Sequence, residues 1–439
     1  MRSRLPKFVS DYGMLIPFFL VCAFFAFFTQ SDHFPTGEAA AHQVAKIIAA
    51  EPAAKRIMIA TRDQSEDLVF AKTLTADLEK HGVEIVAAVK GEPRDARVAL
   101  ANLADRLQSL DVIACTPESA EWIVFADLAA DYPALGSVRV VSPTSYRWPS
   151  FLKADNLLNI ANQIAVIAIL AIGMTMVVIT GGIDLSVGSL IALSAVLATY
   201  FVRQAFGGVQ ATASGMAAAC VLAVLVCGAV GILNGALITL FEVPPFIVTL
   251  AMMLIASGAA YLVSGGESIY QLPETFVWLG RGASAFGIPN AVLLMLILYV
   301  VAHVVMSRMR IGRYLYSVGG NREAARLSGV PVRRITVIAY VVSALLAGLG
   351  GIIFASQFRS GSPTFGLMYE LYVIAAVVVG GASLSGGEGK MFGTLIGAFT
   401  IAVINNGMNL TQVEPYTQKV VLGLVILGAV LLDKLRRRF

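Results

Sequence analysis

Apolar positions along this chain follow two rhythms. Long, nearly unbroken apolar runs lie at about 12–29, 159–180, 186–203, 214–240, 245–264, 290–307, 335–356, 369–382, 391–407 and 416–432. Crossing the hydrocarbon layer takes about 20 apolar residues as a helix. The runs therefore predict a polytopic all-α membrane protein of about ten transmembrane helices. Gly181, Gly182 and Gly188 interrupt the third run, and the eighth is short. Such breaks are tolerated only where freed backbone faces protein or a watery cavity, and they often mark a translocation path.

Between residues 31 and 150 the rhythm changes. Strand-length apolar stretches at 56–60, 83–89, 111–115 and 138–141 alternate with helical spacing at 66–81, 96–107 and 118–131, after a short helix at 40–50. Gly82 stops the first of these longer helices as a C-cap glycine would. The alternation predicts an inserted α/β three-layer domain around a parallel sheet. Ligands in open α/β sheets favour the carboxyl ends of strands, which puts Thr61, Asp63, Thr116 and Glu118 forward as edge candidates. Two readings stand: turn and cap residues, or a site for a small polar ligand or protein partner. No GxGxxG pattern follows these strands, which disfavours a nucleotide pyrophosphate.

Composition agrees with a membrane protein. The chain is 57% hydrophobic and 14% charged, with mean hydropathy +0.77. That is too apolar and too sparsely charged for a disordered chain, a nucleic-acid binder or a simple cytosolic enzyme. Charge is divided unevenly: 31–150 carries 17 acidic and 12 basic side chains, while the rest is net +9 by count. Arg308, Arg310, Arg313, Arg322, Arg326, Arg333 and Arg334 fall between the sixth and seventh runs. Lys434, Arg436, Arg437 and Arg438 follow the last run, and Arg2, Arg4 and Lys7 precede the first. The positive-inside rule makes all three sets cytoplasmic and puts 31–150 outside. The first run reads as an uncleaved helix rather than a signal peptide, because no small-x-small site follows it closely. Three domains result: 1–30, 31–150 and 151–439.

Little in the chain suggests covalent chemistry. The four cysteines match neither a disulfide framework nor a zinc spacing, and no HExxH pair exists, so neither a metal site nor a catalytic set is expected. Leu384-Ser385-Gly386-Gly387-Glu388 nearly reproduces the signature of ABC ATPases. It lies between membrane runs with no P-loop in the chain, so the glycines are read as a tight turn. Polar residues inside apolar runs are more telling. Asp184, with Gly181, Gly182 and Ser186 around it, is either a helix cap or part of a solute path. Asn234, Asn405 and Asn406 either bond between helices or face a cavity. Glu370 reads as an outer hydroxyl-binding group or an interfacial carboxylate. Asn321 begins a short helix through Ser328, stopped by Gly329, that displays Glu323, Ala324, Ala325 and Arg326. That helix is either a partner-docking element or a basic loop anchoring topology.

Four stretches in order resemble a known family: 151–196, from FLKADNLLNI through GGIDLSVGSL; 231–253, beginning GILNGALITL; 316–335, YSVGGNREAARLSGVPVRRI; and 369–410, containing VVVGGASLSGGEGKMFG. The chain resembles the permease subunit of bacterial ABC importers for ribose, xylose, galactose and related monosaccharides. It departs from them in the 31–150 insert, which resembles one lobe of a periplasmic binding protein. It also has Tyr372 where family members often carry Asp in a Glu-Leu-Asp triplet. The resemblance implies a multi-pass protein of the bacterial plasma (inner) membrane that is not itself an enzyme. It implies a coupling helix at about 321–330 that meets a cytoplasmic ABC ATPase holding ATP and Mg. It also implies an extracytoplasmic solute-binding protein and a second permease copy.

Overall fold

The computed structural model describes residues 15–51, 54–106, 109–285 and 287–436. Arg2, Arg4, Lys7, Leu107, Arg437 and Arg438 lie outside the described residues. The chain divides into two compact units, Gln30–Pro149 and the remainder.

In the smaller unit, strands β1 (Gln30–His33) to β6 (Tyr146–Pro149) form two sheets. β2 (Arg56–Thr61), β3 (Glu84–Lys90), β4 (Val112–Cys115) and β5 (Arg139–Val141) make a parallel sheet of order β3-β2-β4-β5. Alternation along β2 fixes its two faces. Ile57 and Ile59 join Val44, Ile48, Phe70, Leu74 and Leu78 in one core. Met58 and Ala60 join Leu100, Leu103, Ile113 and Leu135 in the other. β1 and β6 pair antiparallel, with Gln30 opposite Pro149, a ladder that the charged, weakly apolar sequence there did not announce. The helix expected over 118–131 is corrected. It is three short pieces, Pro117–Ala120, Ile123–Phe125 and Leu128–Asp131. Val124, Phe125 and Leu128 bury in separate turns instead of along one stripe, and Ile123 is left exposed.

In the larger unit, α1 is Leu15–Phe28 and the chain resumes at Ser150. The Ser150 N–H donates to the Thr29 carbonyl at 2.8 Å and the Phe151 N–H to the Thr29 hydroxyl at 3.2 Å. The two ends of the interruption are thus tied together, which lets a domain be inserted without parting the helices around it. We number α2 (Gly37–Ala49), α3 (Ser65–Lys80) and α4 (Pro93–Asp105) in the smaller unit. In the larger unit follow α5 (Ala154–Ile179), α6 (Val187–Ala205), α7 (Ala213–Leu240), α8 (Pro245–Ser264) and α9 (Asn290–Arg308). Next come α10 (Arg310–Gly320), α11 (Arg322–Leu327), α12 (Val332–Phe358), α13 (Tyr369–Val379), α14 (Met391–Leu410) and α15 (Pro415–Arg436).

The expectation of about ten transmembrane helices is corrected to seven: α5, α6, α7, α8, α9, α12 and α14 are the helices among the described residues long and apolar enough to cross. The apolar parts of α1, α13 and α15 are shorter. The eighth run fails for a visible reason. Its helix has 11 residues, about 16 Å of rise, and stops at a turn where Gly381 has φ +85°. The run continued on paper because Gly380, Gly381 and Ala382 are apolar. Five of the long helices, α5 to α9, separate the insert from the arginine-bearing segment. Five is an odd number, as the charge-based expectation of opposite faces requires.

Small residues bring the helices together, as is usual where lipid offers no hydrophobic drive for helix association. Gly231 and Gly235 on α7 meet α12 so closely that an added Cβ would come within 2.7 Å of the Tyr340 carbonyl oxygen or Val337 Cα. Gly173 on α5 meets Ser343 of α12 in the same way. These contacts hold α12 at the centre, against both α5 and α7.

Candidate functional site

The interruption between α5 and α6 builds the most polar buried site of the larger unit. α5 ends at Ile179, and Gly181 turns the chain at φ +79°, where a side chain would be strained. Gly182 packs so tightly on the Tyr340 hydroxyl that no Cβ fits. Asp184 follows, with no exposed surface. One of its carboxylate oxygens accepts from the Ser186 N–H at 3.0 Å and the Ser186 hydroxyl at 2.6 Å. The other accepts from the Ser343 hydroxyl at 2.8 Å. The first pair is an aspartate turn that opens α6, and the third bond ties that turn to the middle of α12.

Neighbouring helices complete the cluster. Asn234 of α7 donates to the Ser186 oxygen at 3.3 Å, and its own Oδ1 is buried with no hydrogen-bond partner among the described residues. The Thr249 hydroxyl of α8 lies between the Pro245 carbonyl at 3.0 Å and the Ile183 carbonyl at 3.2 Å, and the Tyr340 hydroxyl of α12 donates to the Ile183 carbonyl at 3.5 Å. Glu370, in the first turn of α13, is partly buried with its carboxylate against Gly188. Gly181, Gly182, Asp184, Ser186 and Asn234 therefore come together, with Glu370 beside them. Asn405 and Asn406 lie elsewhere. Asn406 exchanges amide hydrogen bonds with Asn156 of α5 at 2.8 and 3.0 Å. Sequence reading passed over Ser343, Tyr340 and Thr249. The signal was present: each is an isolated polar group within an apolar run.

A second set of contacts leads away from this break. The Gly387 N–H donates to the Ile179 carbonyl at 2.9 Å, so the 383–390 loop closes onto the last turn of α5. Gly386 and Gly387, at φ +84° and +78°, lie against Gly181, Gly319 and Gly320. A Cβ on Gly319 would sit on the Ile179 carbonyl oxygen. The Tyr316 hydroxyl donates to the Gly389 carbonyl at 2.6 Å. The turn glycines of the ATPase-like string thus form a knot joining α10, the 383–390 loop and the end of α5.

α11 follows α10 directly. The Asn321 side chain caps it by accepting from the Ala324 N–H at 2.9 Å. Gly329, at φ +80°, ends it, and the Val330 N–H returns to the Ala325 carbonyl at 3.0 Å. Ala325 is its buried anchor, while Glu323, Ala324, Arg326 and Ser328 are exposed and Leu327 is 79% exposed. Arg326 and Glu323 pair at 3.0 Å on its outer face. Six residues are too few for a stable helix in isolation, so α11 relies on its caps and on Ala325.

In the insert, the strand order reverses between β2 and β4, the usual place for a crevice. Of its four candidate residues, Thr61 and Thr116 are turned inward and Asp63 and Glu118 outward. Thr61 is fully buried, and the Thr116 N–H donates to Ser119 Oγ, whose hydroxyl in turn reaches the Ala60 carbonyl at 2.7 Å. Asp63 is exposed. Glu118 meets Arg62 at 3.3 Å, and Arg62 donates to Asp67 at 2.9 Å. The Asp67 hydrogen bond, with the charges of Asp67 and Glu118, raises Arg62 further above the ordinary arginine value. Arg62, which follows β2 between Thr61 and Asp63, joins the acids at this edge.

Comparison with known proteins agrees with this architecture. The family model described as branched-chain amino acid transport system / permease component matches residues 156–430. The ribose import permease protein RbsC of Escherichia coli (strain K12) is 41% identical over 300 residues, covering 67% of this chain and 90% of that protein. The protein of the same name from Bacillus subtilis (strain 168) is 41% identical over 304 residues, covering 69% and 92%. The D-allose transport system permease protein AlsC of Escherichia coli (strain K12) is 36% identical over 285 residues, covering 65% and 85%. No solved structure gives a significant match. The family match begins beyond the insert and takes in the Asp184 break, α11 and the glycine knot. The chain therefore belongs to the permease subunits of bacterial ABC importers, on the side of the family that the ribose and allose permeases represent.

Proposed function

We propose that the chain forms the membrane passage of an ATP-driven importer for a monosaccharide or a related small polar solute. Family membership implies a cognate ATP-hydrolysing subunit and a solute-binding protein. In this reading ATP and Mg stay with the ATPase, α11 is the surface it grips, and two permease copies enclose the passage. The ribose and allose names of the relatives support the solute class. So does the chemistry beside Asp184: the Asn234 oxygen is an acceptor without a donor among the described residues, which a solute hydroxyl can satisfy once the site opens. Gly181, Gly182, Asp184, Ser186, Asn234 and Glu370 are the residues assigned to this path or its hinge. Asn406, engaged with Asn156, is assigned to helix pairing.

The observation that carries the reading is the contact run from α11 to Asp184. A push on α11 acts on α10, whose Gly319 and Tyr316 meet the Ile179 end of α5 and the 383–390 loop. Ile179 lies five residues before Asp184, and Gly386 of the loop packs on Gly181. ATPase closure and solute binding need only favour different arrangements of this turn for transport to be driven.

The insert is assigned to the extracytoplasmic face as a docking accessory rather than a complete solute trap. Arg62, Asp67 and Glu118 already satisfy one another at its strand edge, which supports this assignment.

The test is uptake in vesicles reconstituted with permease, ATPase and solute-binding protein. ATP-dependent uptake is expected. Replacing Ala324 by Trp or Glu323 by Lys is expected to reduce ATPase co-purification while the permease stays monodisperse. Uptake that is unchanged without the ATPase overturns the reading.

A further inference from the structure

The cytoplasmic ends of α7 and α12 enclose a groove of about 460 Å³. Ile232, Ala236 and Leu240 of α7 form one wall and Val337 of α12 the other, with Arg333 and Arg334 in the first turn of α12 at the mouth. The groove exists because Gly235 draws the two backbones together and the small Ala236 beside it leaves space. Thr239, also on this stretch, is occupied internally, its hydroxyl donating to the Gly235 carbonyl at 2.7 Å. The walls are therefore apolar in chemistry as well as composition.

The mouth is different. Arg333 and Arg334 are exposed, and neither makes an ion pair among the described residues, whereas Arg326 nearby is held by Glu323. Two unpaired guanidiniums above an apolar slot, at the end of two crossing helices, match one amphipathic shape. We propose that this groove binds an anionic phospholipid of the cytoplasmic leaflet, its phosphate between Arg333 and Arg334 and an acyl chain along Ala236 and Val337. Guanidinium groups suit phosphate oxygens by geometry, and basic pockets between membrane helices on the cytoplasmic side favour acidic headgroups. An acidic protein loop would satisfy the arginines but leave the apolar walls uncovered. The site adjoins α11, so the lipid would also steady the segment that meets the ATPase.

The experiment uses the full chain purified in mixed micelles of phosphatidylglycerol and phosphatidylcholine, with retained lipid read by native mass spectrometry. Phosphatidylglycerol is expected to be retained in preference. Replacing Arg333 and Arg334 together by Gln is expected to lower its retention tenfold or more with an unchanged elution profile. Ala236→Phe, which fills the slot and leaves both charges, is expected to lower it as well. Glycerol phosphate in millimolar excess is expected not to displace the lipid, since it lacks the chain. Equal retention of the two lipids by the wild type overturns the proposal. So does a double Gln variant that keeps its phosphatidylglycerol but loses the ATPase, which would assign the arginines to a protein contact.

Discussion

The edge of the insert sheet and the break between α5 and α6 are built from the same materials. Each joins hydroxyls and a carboxylate at the end of a regular element. In the insert, Arg62 bridges Asp67 and Glu118, while Thr116 and Ser119 close on each other and on Ala60. In the membrane unit, Asp184 has no cation among the described residues. Three neutral donors satisfy it, and Asn234 beside it keeps an oxygen without a partner among those residues. The difference follows from surroundings. Near water, an arginine and two acids assemble at little desolvation cost. Within apolar helices, a charged partner is costly, and hydroxyls from adjacent helices do the same work. One arrangement is closed on itself; the other retains an acceptor and joins α6, α7 and α12.

Substitutions at four positions separate these two kinds of site, and the largest effect is expected at Asp184. Alanine there leaves three buried donors without an acceptor, a cost of about 3 kcal/mol or more in stability. Thermal unfolding in detergent reads it, and uptake should fall with it. Asp184→Asn keeps one acceptor oxygen and should lose clearly less. Gly319→Ala comes next. Its methyl meets the Ile179 carbonyl, and overpacking of this kind costs about 1–3 kcal/mol. The distinguishing readout is the ratio of ATP hydrolysed to solute moved, which should rise if the knot transmits motion and stay fixed if it merely packs.

Arg62→Ala sharpens the contrast from the other side. It leaves the largely buried Asp67 without its partner, costing about 1–2 kcal/mol. Limited proteolysis of the full chain should cut the insert sooner, while uptake stays near the wild-type rate. The smallest effect belongs to Asp77, also in the insert. The Lys80 ammonium, then His42, holds its carboxyl below the usual value of 3.8. A lowered folded value gives a contribution present above pH 3.8 and lost as pH falls through that lower value. Asp77→Asn should therefore shift unfolding slightly at neutral pH, less at high salt, and not at all in strong acid.

What the sequence conveyed divides along physical lines. Runs of ordinary helix and strand length were readable, because burial imposes its period on consecutive residues. The charge change near residues 31 and 150 was readable for the same local reason. The crossing number was not, since Gly380 and Gly381 count as apolar while ending a helix. Nor was the broken helix after Glu118, whose apolar residues serve three separate turns. At the candidate site, Asp184, Ser186 and Asn234 stood out as polar groups in apolar runs. Ser343 and Tyr340 stood out equally but needed the packing of α12 on the break to acquire meaning. The knot of Gly181, Gly319 and Gly387 joins segments far apart in the chain, so only the fold brings it into view.

The account depends most on the insert and α11 facing opposite compartments. An impermeant thiol reagent applied to intact cells tests it, using Asp63→Cys in the insert and Ser328→Cys after α11, both at exposed positions. Native Cys115 in the insert gives no background: it is fully buried, and burial pushes its thiol up to about 12. The account predicts that Asp63→Cys is labelled on intact cells and Ser328→Cys only after the membrane is opened. Labelling of Ser328→Cys on intact cells, with Asp63→Cys protected, would contradict it.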